Sequence, residues 1–120
     1  MLWLLVLEAW LVCPGCNGAG RPVSIAAGLQ AELPQERAAA CVRAGATRDR
    51  SAVPLLVERL DDPAEDVRFF AIAALERITG QTLDYRYYSA PAERQAAVQR
   101  WRRWLAGQAG TTARAGKGGP

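Results

Sequence analysis

Along the middle of this chain, apolar residues recur with the period of an α-helix, and no stretch sustains the alternation of a strand. The clearest case runs from Asp61 to Gly80. Val67, Phe70, Ala71, Ala74, Leu75 and Ile78 fall at i, i+3, i+4, i+7, i+8 and i+11, a continuous apolar face. Asp61 or Asp62 is expected to cap this helix, with Pro63 in its first position, where a missing N–H costs nothing. Glu65 and Asp66 place negative charge at the positive end of the helix dipole. Gly80 is the residue able to take the left-handed stop conformation. Phe70, Leu75 and Ile78 are expected among the most buried side chains. Phe69, Ile72 and Ala73 add a second apolar set, which predicts cover on more than one side.

Val53, Leu56, Val57 and Leu60 form a shorter face just upstream, with Pro54 tolerated in the first turn. Further back, Glu36-Arg37-Ala38-Ala39-Ala40-Cys41-Val42-Arg43 matches Asp66-Val67-Arg68-Phe69-Phe70-Ala71-Ile72-Ala73 after a shift of 31 residues, with Arg37 over Arg68 and Ala40 over Ala71. Periods of this size mark stacks of helical hairpins. Gly45-Ala46-Thr47 is expected to stop this earlier helix. Ile25 and Leu29, one turn apart, mark a short leading helix within Ser24 to Glu32, weakened by Gly28. Cys41 is expected to be a buried, inert small residue.

Beyond Gly80, the alternation of Leu83, Tyr85 and Tyr87 predicts an extended loop that lays its rings over the end of the last hairpin. Pro91 then opens a final helix carrying Ala97, Val98, Trp101, Trp104 and Leu105 on one stripe. Trp101 and Trp104 read as core, and the loop and helix together as a terminal cap. Arg100, Arg102 and Arg103 fall off the stripe and are expected to be solvated. Gly107 is expected to end the helix.

The combination of Arg37 with its alanines, Ala52-Val53-Pro54-Leu55-Leu56-Val57-Glu58-Arg59-Leu60, and Asp61-Asp62-Pro63-Ala64-Glu65-Asp66-Val67-Arg68 resembles the HEAT repeats, specifically the short type named after phycobilisome lyases. The resemblance covers about residues 33–80. It implies an all-α fold, a short right-handed α-solenoid of helical hairpins closed by the C-terminal capping helix. It also implies ladders between repeats, formed by the turn aspartate and the second-helix arginine; Asp62 and Arg68 are the matching positions. The first copy has Ala31 where that acid would stand.

Half of the 120 residues are apolar, enough for one small core plus tails. The net charge is +3 and there is no histidine, which removes the commonest general base and metal ligand together. The basic residues concentrate late: Arg86, Arg94, Arg100, Arg102, Arg103, Arg114 and Lys117 face only Asp84 and Glu93 beyond Gly80. Met1 to Val12 is an apolar run too short to span a bilayer. It suits the apolar region of a secretory signal, although no basic residue precedes it and Glu8 lies inside it. Cys16, or else Cys13, is the candidate for lipidation. Cys13-Pro14-Gly15-Cys16-Asn17-Gly18-Ala19-Gly20 also resembles the CxxCxGxG repeat of DnaJ-type zinc-binding regions. Zinc takes four ligands and this is a single copy, so no metal or other cofactor is expected.

The expected organisation is a leader over 1–16, a flexible linker with a short helix over 17–31, and a helical domain over 32–106. Within that domain the repeats are placed at about 33–60 and 61–80, the aromatic loop at 81–89 and the capping helix at 90–106, with a disordered tail over 107–120. The expected function is a non-catalytic protein–protein interaction scaffold, exported or tethered to a membrane through its N-terminus. Its partner is an unidentified protein, with no small-molecule substrate. Arg37, Arg43, Arg68, Glu76 and Arg77, mixed in sign, form the candidate surface on the second helices. The alternative is weak nucleic-acid binding through the arginine-rich last helix. A lyase-related enzyme or accessory subunit is a remote third, because no nucleophile–base pair can be assembled.

Overall fold

A computed structural model describes residues 23–115, and all the described secondary structure is helical. Five α-helices follow in order: α1 Ile25–Leu29, α2 Pro34–Thr47, α3 Val53–Arg59 after a single 3₁₀ turn, α4 Glu65–Thr79 and α5 Pro91–Ala115. The expected leader, Cys13 and Cys16 lie outside the described residues. Among the described residues, no helix is long and apolar enough to cross a membrane.

The hairpins are α1/α2 and α3/α4, and they stack in two layers, with α1 against α3 and α2 against α4. Placing the repeats at about 33–60 and 61–80 therefore cut each hairpin one helix out of register. The short α1 misled that division. It is one turn and a half long, yet Leu29 is fully buried and Ser24 caps it, its Oγ accepting from the Ala27 N–H at 3.1 Å. Gly28, taken as a weakness, is where α1 touches α2. A Cβ there would lie 2.8 Å from the Ala40 Cβ. The described part of the expected linker, residues 23–31, thus belongs to the packed domain.

A close approach also explains Gly45. It does not stop α2; Arg48 does, in the left-handed conformation at φ 48°. Gly45 sits in the crossing of α2 and α4, where an added Cβ would come within 3.1 Å of the Ala74 Cα. Leu56, Leu60, Val67, Ala71 and Leu75 fill the space between the layers with essentially no exposure. Ile78 is buried beside them. Phe70 is only partly buried and packs at the edge of this core, and Phe69 is 43% exposed. The second apolar set of α4 is therefore covered only in part: Ile72 is buried and Ala73 half-buried, while Phe69 stands at the surface with Tyr87 against it.

Two end assignments change. α4 begins at Glu65 with Ala64 as its N-cap and no side-chain cap, so Pro63 precedes the helix instead of opening it. The Asp62 carboxylate is engaged elsewhere. At the other end of the chain, α5 passes through Gly107 and Gly110 to Ala115 instead of ending at residue 106. Thr111 and Thr112 return their hydroxyls to the carbonyls of Gly107 and Gln108 one turn back, and alanine is frequent there. Glycine in a helix costs only about 1 kcal/mol relative to alanine, too little to force a stop.

Candidate functional site

The turn before α4 gathers the charged groups of the seam between hairpins. Arg37, on α2, donates from Nε to Asp62 Oδ2 at 2.8 Å and from Nη2 to Oδ1 at 3.0 Å, a bidentate pair. Its remaining nitrogen, Nη1, donates to the carbonyls of Ala31 and Glu32 at 2.8 and 2.6 Å. The Asp62 side chain has no solvent exposure, and it also accepts from Arg59 Nη1 at 3.3 Å and from the Ala64 N–H at 3.0 Å. Hydrogen bonding to Asp62 raises the Arg37 pKa further above its ordinary value, with burial opposing in part.

Arg68 repeats half of this arrangement one hairpin later. Its Nη1 donates to the carbonyls of Asp62 and Pro63, at the same backward offsets of six and five residues as Arg37. Its Nε donates to the Tyr87 carbonyl at 3.1 Å, where Arg37 has a carboxylate. The Asp62 carboxylate is thus met by the arginine of the preceding hairpin and not by Arg68. Both arginines are buried, Arg37 at 8% exposure and Arg68 at 7%, and this removes them from the candidate interaction surface. They close their own turns and join repeats.

The aromatic loop does not run extended. Leu83 and Asp84 both take positive φ, and the chain turns there. Three tethers impose the turn: the Trp101 Nε1–H donates to the Thr82 carbonyl at 3.1 Å, Arg100 Nε donates to the Leu83 carbonyl at 2.9 Å, and the Tyr85 hydroxyl donates to the Leu60 carbonyl at 2.6 Å. Burial pushes the Tyr85 phenol up to about 12. Tyr87 meets Phe69 edge to face at 5.1 Å, and Tyr88 is largely exposed. Trp101 is fully buried and Trp104 partly so, the two rings edge to face at 5.4 Å. Arg100, expected in solvent, is half-buried on this loop, and Arg94 donates to the Ser89 carbonyl. Of the arginines at the end of α5, Arg102 and Arg103 are exposed.

What remains on the second helices is a different surface from the mixed-charge edge. Arg43 is half-buried, with Nη1 donating to the Val23 carbonyl at 2.8 Å. Glu76 and Arg77 are exposed. Between α2 and α4 lies a cleft of about 230 Å³, floored by Gly45 and Ala74. Cys41, Val42, Phe69, Phe70 and Ala73 line it, and Arg77 stands at its edge. Val42 is 48% exposed, and with Phe69 it forms an apolar rim. The Cys41 thiol is buried and pushed up to about 12 by desolvation, far from the thiolate that chemistry would need. Sequence reasoning missed this cleft. Its only signal is the second apolar set on α4, of which Phe69 and Ala73 line the cleft while Ile72 is buried in the core.

No curated protein and no solved structure matches the chain. A family model of HEAT repeats matches residues 23–100, from the start of α1 into α5, and so takes in both hairpins and the loop. HEAT repeats generally mediate protein–protein interaction. The stacked hairpins, the arginine repeated at a fixed offset and this match agree: the chain belongs to the HEAT-repeat family.

Proposed function

We propose that the protein is a non-catalytic interaction module of the short, phycobilisome-lyase-type HEAT class, which grips a segment of a partner protein in the cleft between α2 and α4. One observation carries the reading: two exposed apolar side chains, Val42 on α2 and Phe69 on α4, line the same side-chain-sized cleft. At about 230 Å³ the cleft is smaller than typical small-molecule sites of ~300–1,000 Å³, but it accepts one or two anchoring side chains. Export or membrane tethering through residues 1–16 is part of the same proposal and rests on their apolar sequence.

Nucleic-acid binding is less well supported than the late cluster of arginines suggests. Arg94 and Arg100 are committed to loop carbonyls, and among the described side chains of the late cluster Arg86, Arg102 and Arg103 are the exposed cations. So few contacts support only non-specific binding, with Kd on the order of 10⁻⁴–10⁻⁶ M at physiological salt. Affinity capture from the native host separates the readings. A partner lost with Val42→Glu or Phe69→Glu, and kept with Arg102→Gln/Arg103→Gln, is expected. Salt-resistant nucleic-acid binding abolished by the arginine pair would overturn the proposal.

A further inference from the structure

We infer that the first occupant of the cleft is the chain's own N-terminal segment, Met1 to Val12, folded back onto α2 and α4. This rests on the cleft being the binding site and adds who holds it before a partner arrives.

Three observations bring the segment there. The first is reach. The described chain starts at Val23, whose carbonyl accepts from Arg43, the neighbour of the cleft residue Val42 on α2. The ten residues from Cys13 to Pro22, rich in glycine and proline, span up to about 33–36 Å when extended. That exceeds several times the ~10–12 Å diameter of a helix, so the segment can pass around α2 without strain. A short flexible linker that can span its sites holds its load at about millimolar effective concentration.

The second observation is chemistry. Trp3, Leu7 and Trp10 recur at i, i+4 and i+7, a helical stripe of large side chains that would otherwise face water. The cleft offers apolar walls of Val42, Phe69, Phe70 and Ala73 and room for such an anchor. The third is charge. Glu8 is the one charged side chain within the segment, and Arg77, at the cleft edge, makes no ion pair among the described residues. Glu8 beside Leu7 would meet Arg77 as the stripe enters. The device is competitive: a partner, a membrane or a signal-processing enzyme that takes the segment also opens the cleft.

The test uses the full 120-residue chain, with Met1 verified by mass, in detergent-free buffer. A photo-crosslinking phenylalanine analogue replaces Phe69 in one sample and Val42 in a second, so that a local disturbance at either site is recognised. Arg102 serves as the control site. Illumination is expected to link both cleft positions to residues within 1–12 of the same molecule, at a yield independent of protein concentration. The yield is expected to fall roughly tenfold or more in Trp3→Ser/Trp10→Ser, as for removal of buried aromatic anchors. The Arg102 position is expected to give no such product. Links only between molecules, links to other parts of the chain, or none at all would overturn the inference. Capture of a host partner lost with Val42→Glu then reports separately on the cleft, and persists if only the self-docking is wrong.

Discussion

Arg37 and Arg68 stand at equivalent places in consecutive hairpins and make the same two bonds to their own turns, yet their third partners differ. Arg37 meets the buried carboxylate of Asp62 from the next hairpin; Arg68 meets the neutral carbonyl of Tyr87 from a loop. The first is an internal joint between repeats. The second is the same joint at the end of the stack, where the loop and α5 stand in for a further repeat. The bonds within each turn therefore belong to the repeat itself, and the third partner marks its position in the stack.

The comparison breaks most severely at Asp62. Asp62→Ala leaves the Arg37 guanidinium buried without its counter-charge and is expected to cost about 3–5 kcal/mol in urea unfolding. A loss below about 1 kcal/mol would show that the pair is not the joint. Arg68→Ala removes bonds from a cation to neutral carbonyls and a long, exposed pair with Glu65, and is expected to cost less, about 1.5–3 kcal/mol. Equal losses at the two sites would erase the distinction between joint and end.

Tyr85→Phe loosens the loop that serves Arg68 and is expected to cost about 1 kcal/mol, the value of one buried hydrogen bond. It also changes the alkaline limb. The folded phenol titrates at about 12 against an ordinary 10.0, so its contribution is complete below pH 10 and is lost as pH rises toward 12. Stability of the parent should fall more steeply over that range than that of the Phe variant, followed by circular dichroism at fixed urea. The smallest effect is expected from Ala31→Asp. It restores the turn acid of the first hairpin where no described arginine awaits it, and the midpoint should shift by less than about 0.5 kcal/mol. A large gain would reveal a cation at that end.

Much of this architecture was legible in the sequence. The helical periods located α2, α3 and α4, and the 31-residue shift aligned the two arginines. Burial of Leu75 and Trp101 follows from the same stripes. The failures share a cause: they concern atoms brought together from distant parts of the chain. Gly28 and Gly45 read as breakers because the neighbours that need their missing Cβ, Ala40 and Ala74, are not adjacent in sequence. Phe70 reads as core because periodicity counts apolar residues without saying which flank receives a partner. Charge alone places Arg37 and Arg68 on the surface, since charge is usually solvated, although the family resemblance already gives Arg68 and Asp62 a role between repeats. Their carbonyl and carboxylate partners become visible only once the turns fold. The cleft was invisible for the same reason.

One consequence of the Asp62 carboxylate reaches beyond its bonds. In a linear array of repeats, the free energy of folding divides into what each unit supplies alone and what each interface supplies. α1 and α3 are short helices with little intrinsic tendency to form, so each hairpin by itself is poor. Asp62 accepts from one arginine of each hairpin and from the backbone N–H of Ala64 at once. If the first hairpin opens, the buried anion loses Arg37; if the second opens, Arg37 loses its counter-charge. The coupling therefore outweighs the intrinsic terms, and native-state hydrogen exchange should find α2 and α4 unfolding as one cooperative unit, with matching protection.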